Sequence, residues 1–306
     1  MSGSETGSHR PDEALGVLYA GGAYALWGVA PLYWALLADV SPFQITTHRI
    51  LWGALFAFGV TAMRRRIPSL LAIAARPRVL AALAASSVLI AVNWTIYIWS
   101  VSTHQLVESS LGYYLTPLVS MALGVLLLRE KISALRVAAI ALAALAVVLQ
   151  GIDLGRLSWI APSLALSFGF YGFIRKMTPV DALDGLTVET ILMFPVTLGL
   201  VLYWTRSGAG ALDAAHPLRD ALLVAGGPVT AIPLAMFAAG ARRVRMTTLG
   251  FLQYIAPSIT LIVATAMLGE AFARIDAITF GCVWSALALV ALEGPVLRLR
   301  RAAERP

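Results

Sequence analysis

The chain has 306 residues, 59% of them hydrophobic and only 13% charged, with a mean hydropathy of +0.81. Soluble domains carry about 25% charged residues, so most of this surface never meets water. The net charge of +7 does not point to nucleic acid, because the arginines cluster between apolar blocks and no basic–aromatic module stands out. The one cysteine, Cys282, lies inside an apolar block, which excludes an intrachain disulfide and reads as an inert buried thiol.

Residues 1–14 are polar and read as a cytoplasmic tail. The apolar stretch from Leu15 to Leu37 is too long for a signal-peptide core and reads as a first retained helix. Further blocks run at 43–63, 79–101, 106–128, 135–151, 157–176, 186–205, 219–240, 246–268 and 275–297. Each is close to the roughly 20 residues that cross a hydrocarbon core of about 30 Å. The longest link, after the second block, carries Arg64, Arg65, Arg66, Arg76 and Arg78. Another, Ser207-Gly208-Ala209-Gly210, is small and polar, and residues 298–306 form a basic tail. The pattern predicts an all-α integral membrane protein of ten transmembrane helices.

Lysine and arginine set the orientation. With the N-terminus inside, 18 of them fall on cytoplasmic segments, four on outer segments, and Arg49 within the second helix. The positive-inside rule then places both termini in the cytoplasm. A repeat is visible as well. Tyr114-Leu115-Thr116-Pro117 followed by Glu130 recurs 140 residues on as Tyr254-Ile255-Ala256-Pro257 followed by Glu270, with 13 residues from Pro to Glu in both copies. The same offset roughly superposes Trp27-Gly28 on Tyr171-Gly172 and brings His48 near Glu189. A unit of five helices is odd, so its second copy (157–297) enters the membrane inverted relative to the first (15–151), an arrangement that recurs among secondary transporters.

These features resemble EamA-type permeases of the drug/metabolite transporter superfamily and, within it, the RarD-like group named for chloramphenicol sensitivity. The runs that carry the resemblance are Tyr24-Ala25-Leu26-Trp27-Gly28-Val29-Ala30-Pro31-Leu32-Tyr33-Trp34, His48-Arg49-Ile50-Leu51-Trp52, Asn93-Trp94 with Tyr97-Ile98-Trp99, Glu108-Ser109-Ser110-Leu111-Gly112-Tyr113, and Gly250-Phe251-Leu252-Gln253-Tyr254-Ile255-Ala256-Pro257. The resemblance spans residues 15–294. Tyr114 departs from it, standing where a less polar residue is expected. What it implies is a plasma (inner) membrane permease; it supplies no substrate.

Ionisable groups inside a membrane are costly and usually functional. His48 and Arg49 lie about 8–10 Å into the second helix, with Gln44, His48 and Trp52 on one face. They read as an anion or proton site, or as a snorkelling arginine beside a satisfied histidine. Glu108 is either a partner for Arg49 or a group meeting interfacial water. Glu189 is a second proton or substrate candidate, or an acid favoured by a helix N-terminus. Glu130 and Glu270 close their helices and read as structural. Asn93, Tyr97, Tyr113, Tyr114, Gln253 and Tyr254 line a polar cavity or glue helices together. Trp27 and Trp94 look too deep for the interfacial aromatic belt, whereas Tyr33, Trp34 and Trp99 suit it.

The expectation is a secondary transporter of small metabolites or drug-like solutes working by alternating access. The rival readings are a non-transporting receptor or assembly factor and an intramembrane enzyme. No P-loop, HExxH or paired intramembrane aspartates occur, so no catalytic residue, metal or cofactor is expected. The partners are a small solute of open identity and the lipid bilayer, without nucleic acid; a homodimer is left open. In a background lacking Cys282, cysteines at Ser69 and Ser133 should label only from the cytoplasm and one at Gly208 only from outside. Outside labelling at Ser133 overturns the inverted repeat.

Overall fold

A computed structural model describes residues 9–128, 133–153, 159–241, 243–244 and 252–303, and the following concerns those residues. Within them the secondary structure is helical: α1 (His9–Ala35), α2 (Pro42–Met63), α3 (Ile67–Ala74), α4 (Pro77–Ser102), α5 (Leu106–Leu128), α6 (Ala134–Asp153), α7 (Ile160–Met177), α8 (Ala182–Ser207), α9 (Pro217–Ala241), α10 (Ile255–Ile262) and α11 (Arg274–Ala303). Six helices have a segment long and apolar enough to cross a membrane: Glu13–Ala35, Pro77–Ser102, Ala134–Asp153, Ala182–Ser207, Pro217–Phe237 and Arg274–Leu292.

Local chemistry sets the ends. Proline opens α2, α4 and α9, where its missing N–H is no loss. Asp181 caps α8 by accepting from the Leu183 N–H at 3.1 Å, and Gly208 closes it at φ 72°. Two elements depart from the reading of the sequence. The arginine-rich link folds into α3, whose Leu70 and Ile73 are buried against Leu83 and Val188. The block expected at 246–268 is broken: Gln253 and Tyr254 form a turn, α10 starts at Ile255, and it continues as a π-turn over Val263–Met267. Glu130 lies outside the described residues.

The outside of the bundle is as apolar as its inside. Leu126 is 74% exposed, Ile152 72% and Tyr203 67%, which suits a lipid surround and not water. Packing then depends on close backbone approach, since lipid gives helices little hydrophobic reason to associate. α1 packs on α9 and α10, α7 on α4 and α5, α2 on α8 and α9, and α6 on α11. Glycine makes the contacts. A Cβ on Gly28 would stand 2.6 Å from Ile259 Cβ, and one on Gly169 would stand 2.7 Å from Val119 Cγ1. One on Gly112 would strike the Ala161 carbonyl at 2.8 Å.

The tightest meeting of α9 with α2 is at Gly227, where a Cβ would lie 2.5 Å from the Trp52 backbone carbon. Backbone cannot swing aside as a side chain can. Gly227→Ala should therefore lower stability by about 1–3 kcal/mol, read as an earlier melting midpoint in detergent. Gly199→Ala, at an exposed helix position with open space, should be neutral or slightly stabilising. For topology labelling, Ala75 and Ala209 replace two positions with structural duties: Ser69 donates to Asp184 at 2.6 Å, and Gly208 has positive φ.

Candidate functional site

Two polar sites lie on the inner faces of the bundle, separated by apolar residues. The first is built on α2. Thr46 and Thr47 turn their hydroxyls back to the Pro42 and Phe43 carbonyls at 2.9 and 2.8 Å, so they satisfy themselves within the helix. His48 and Arg49 have no such recourse and are buried, 2% and 7% exposed. The Arg49 guanidinium carbon lies 4.1 Å from the Trp94 ring centroid on α4 and 5.0 Å from that of Trp34 on α1. Its Nε and Nη1 have no hydrogen-bond partner. Trp34, expected at the interfacial belt, is instead 2% exposed, because α1 carries it inward against this cation.

Next to Arg49, Tyr97 and Tyr113 pack edge to face at 5.7 Å. The Tyr113 hydroxyl donates to Asn93 Oδ1 at 3.2 Å. Asn93 Nδ2 donates to the Leu164 carbonyl at 3.1 Å and to Ser167 Oγ at 2.9 Å. Asn93 thus ties α4 to α5 and α7, which is the gluing role. On another side of α2, His48 Nδ1 and Trp52 Nε1 lack partners, and the Asp220 carboxylate of α9 acts electrostatically on His48. Trp52, Asp220 and Val224 line an open groove of about 550 Å³ between α2 and α9.

The second site is centred on Glu189, which lies seven residues into α8 and is 1% exposed. It is no helix-end acid. Ser86 Oγ of α4 donates to its Oε1 at 2.5 Å, the Tyr171 hydroxyl of α7 donates to Oε2 at 3.5 Å, and Arg175 Nε stands 3.6 Å from Oε1. Gly185, one turn before Glu189, makes this possible: a Cβ there would sit 1.9 Å from Arg175 Nη1. The sequence places Arg175 among the cytoplasmic cations, but α7 and Gly185 fold it inward. Tyr171 and Arg175 are the members that sequence reasoning missed, their signal being a glycine on the Glu189 face; Ser86 shares a polar stripe with Asn93, Tyr97 and Ser100 on α4, which reads from the sequence as cavity lining or interhelical glue. A cavity of about 10 Å³, lined by Ile50, Ile90, Trp94 and Glu189, lies between the two sites. That is room for one water at most.

The other candidates lie elsewhere. Glu108 is not brought to Arg49; its Oε1 accepts from the Ile160 N–H at 3.3 Å, at the start of α7. Trp27 packs with Tyr24 and Phe237 between α1 and α9. Tyr114 stacks on Tyr254 at 6.0 Å and bonds to Ser258 across α5 and α10, with Gln253 in the preceding turn. Glu270 accepts from the Leu106 and Val107 N–H groups at 2.9 Å each, closing the start of α5, a structural duty as its position suggested.

A helical bundle with apolar exterior and buried ionisable groups is the build of a multi-pass membrane protein. The model of the EamA-like transporter family matches residues 14–151. An uncharacterized transporter of Vibrio cholerae is 38% identical over 96% of this chain and 97% of its own length. Protein RarD of Escherichia coli is 37% identical over 91% and 94%, and the chloramphenicol-sensitive protein RarD of Pseudomonas aeruginosa 32% identical over 95% and 97%. A solved crystal structure shares the fold at a TM-score of 0.57 with 18% identity, over 95% of this chain and 99% of that one. The chain belongs to the EamA-like transporter family, among its RarD-like members, and this is a family of transporters, not of enzymes.

The buried pair gives a double-mutant test. Arg175→Met strips a partner from an almost fully buried carboxylate and should lower stability by about 3 kcal/mol. Glu189→Gln in the same background should recover most of that loss in the melting midpoint. Additive losses in the double variant would mean that the two side chains do not interact.

Proposed function

We propose that the chain is a secondary transporter of small metabolites or drug-like solutes. Two inverted five-helix halves, 15–151 and 157–297, rock about a site between them, with both termini cytoplasmic. The observation that carries this reading is a contact that occurs twice. Gly28 of α1 meets Ile259 of α10, and Gly169 of α7 meets Val119 of α5. The glycines are 141 residues apart and their partners 140, close to the offset of the Tyr-x-x-Pro motif. Helix packing repeats in the same sense, α1 on α9 and α10 corresponding to α7 on α4 and α5. Arg49 and Glu189 are also 140 apart, each about 10 Å from the start of its helix. In an inverted pair those starts face opposite sides of the membrane.

In this conformation both ends are held shut. On the side of the α8 N-terminus, Arg66 pairs with Asp184 at 2.7 Å and Arg175 with Glu189. On the other side, Tyr33 donates to the Leu222 carbonyl, Gln44 to that of Ala209 at 2.9 Å, and Arg219 lies 3.5 Å from Asp39. Alternating access requires these two sets to break in turn.

Neither an ATP site nor a redox group stands out in the sequence, so an ion gradient or the solute's own gradient supplies the drive. His48 titrates near neutrality in its ordinary state, is buried, and has a free Nδ1. It is the proposed proton carrier, with Glu189 its counterpart in the other half. The test is uptake into proteoliposomes of labelled solutes, beginning with chloramphenicol because of the relative's name, with and without an imposed pH gradient. Wild-type uptake should follow the gradient, and His48→Gln should lose that response while retaining downhill flux. Uptake indifferent to the gradient, or a fully gradient-driven His48→Gln, overturns proton coupling.

A further inference from the structure

We infer that Arg49 is the anchor for an organic anion: a single carboxylate carried on an apolar body. The inference rests on the transporter reading for its biological sense but on Arg49 alone for its chemistry. Arginine keeps its proton in proteins, so the group remains a cation wherever it lies. It is 7% exposed, and two of its nitrogens, Nε and Nη1, make no hydrogen bond. Indole rings 4.1 and 5.0 Å away engage the guanidinium carbon, but a π-face does not accept in-plane N–H groups. A desolvated cation with unmet donors is expensive unless a counter-charge arrives.

That counter-charge does not come from the described residues. Their buried carboxylates are all engaged elsewhere: Glu108 with the Ile160 N–H, Asp184 with Arg66 and Ser69, Glu189 with Ser86 and Arg175, and Asp276 with the Ala273 N–H. Its close neighbours are Trp34, Trp94, Tyr97 and Tyr113, which offer ring surface and no second cation. One positive charge in an aromatic cage matches one negative charge on an apolar solute. A phosphate monoester, close to dianionic at neutral pH, would bring an unmatched charge into the same cage. With about 10 Å³ beside Trp94, the anchor is sealed in this conformation, so the solute reaches it only as α2 parts from α4 or α1.

The test is binding by the purified full-length protein in nanodiscs, read as a saturable shift of the melting midpoint. The probes are acetate, phenylacetate and indole-3-acetate, each beside its primary amide, then phenethylamine and sodium chloride. The aromatic carboxylates should bind, and their amides and phenethylamine should not. Arg49→Gln should weaken phenylacetate binding about 10- to 100-fold, the loss of a charge-assisted contact. Arg49→Lys, which retains charge and guards against mere misfolding, should retain part of the affinity. The proposal is overturned if no carboxylate outcompetes its amide, if Arg49→Gln binds phenylacetate like wild type, or if chloride saturates the site and the phenyl group adds nothing. Transport of a neutral or cationic solute without carboxylate binding would spare the transporter reading and sink this one. Carboxylate binding at Arg49 without flux of any solute would do the reverse.

Discussion

A hydrocarbon surround offers no hydrogen-bond partners. From that constraint come the helices, whose backbones satisfy themselves, and the tight glycine contacts, because helices in lipid gain little from apolar burial. It also governs the side chains. Threonines and serines bond back to carbonyls one turn earlier, as Thr46, Thr47, Thr187 and Thr197 do. Groups that cannot do so must find a partner on another helix. Asn93 finds two on α7, and Glu189 draws on α4 and α7. Arg49 finds aromatic faces and leaves two nitrogens unmet. The polar interior is therefore a short inventory of obligations, and among those left open the buried cation of Arg49 is the most informative.

Much of this organisation was legible in the sequence because it is written in block lengths and charge positions. Apolar runs near twenty residues mark helices whatever their neighbours, and the blocks at 43–63 and 106–128 fall within a residue of α2 and α5. α3 was not legible, since eight residues are too few to show a period beside a cluster of arginines. The turn before α10 was not either; Gln253 and Pro257 interrupt the apolar run without marking where the turn falls or where α10 passes into a π-turn.

The sites were legible in part, for a related reason. His48, Arg49 and Glu189 stand out because ionisable residues are rare in apolar runs. Their partners depend on which helices meet. Arg175 belongs to a basic cluster by position and to a buried ion pair by geometry, and Gly185 decides between them by leaving the space a side chain would fill. Trp34 looks like a belt residue from its place near the end of α1, yet packing turns it onto Arg49. Glu108 could be read as a partner for Arg49 or as a group meeting interfacial water, but the N-terminus of α7 takes the carboxylate.

The carboxylate of Glu270 holds two N–H groups of α5 from the chain that follows α10. These are the fourth and ninth apolar blocks, one from each half on the proposed reading, so the contact staples α5 to the end of the ninth block at one rim of the bundle. A staple at a rim acts as a pivot: displacement is smallest there and grows with distance along the helices. On the proposed rocking of two halves, α5 would move little beside Glu270 and more toward its far end.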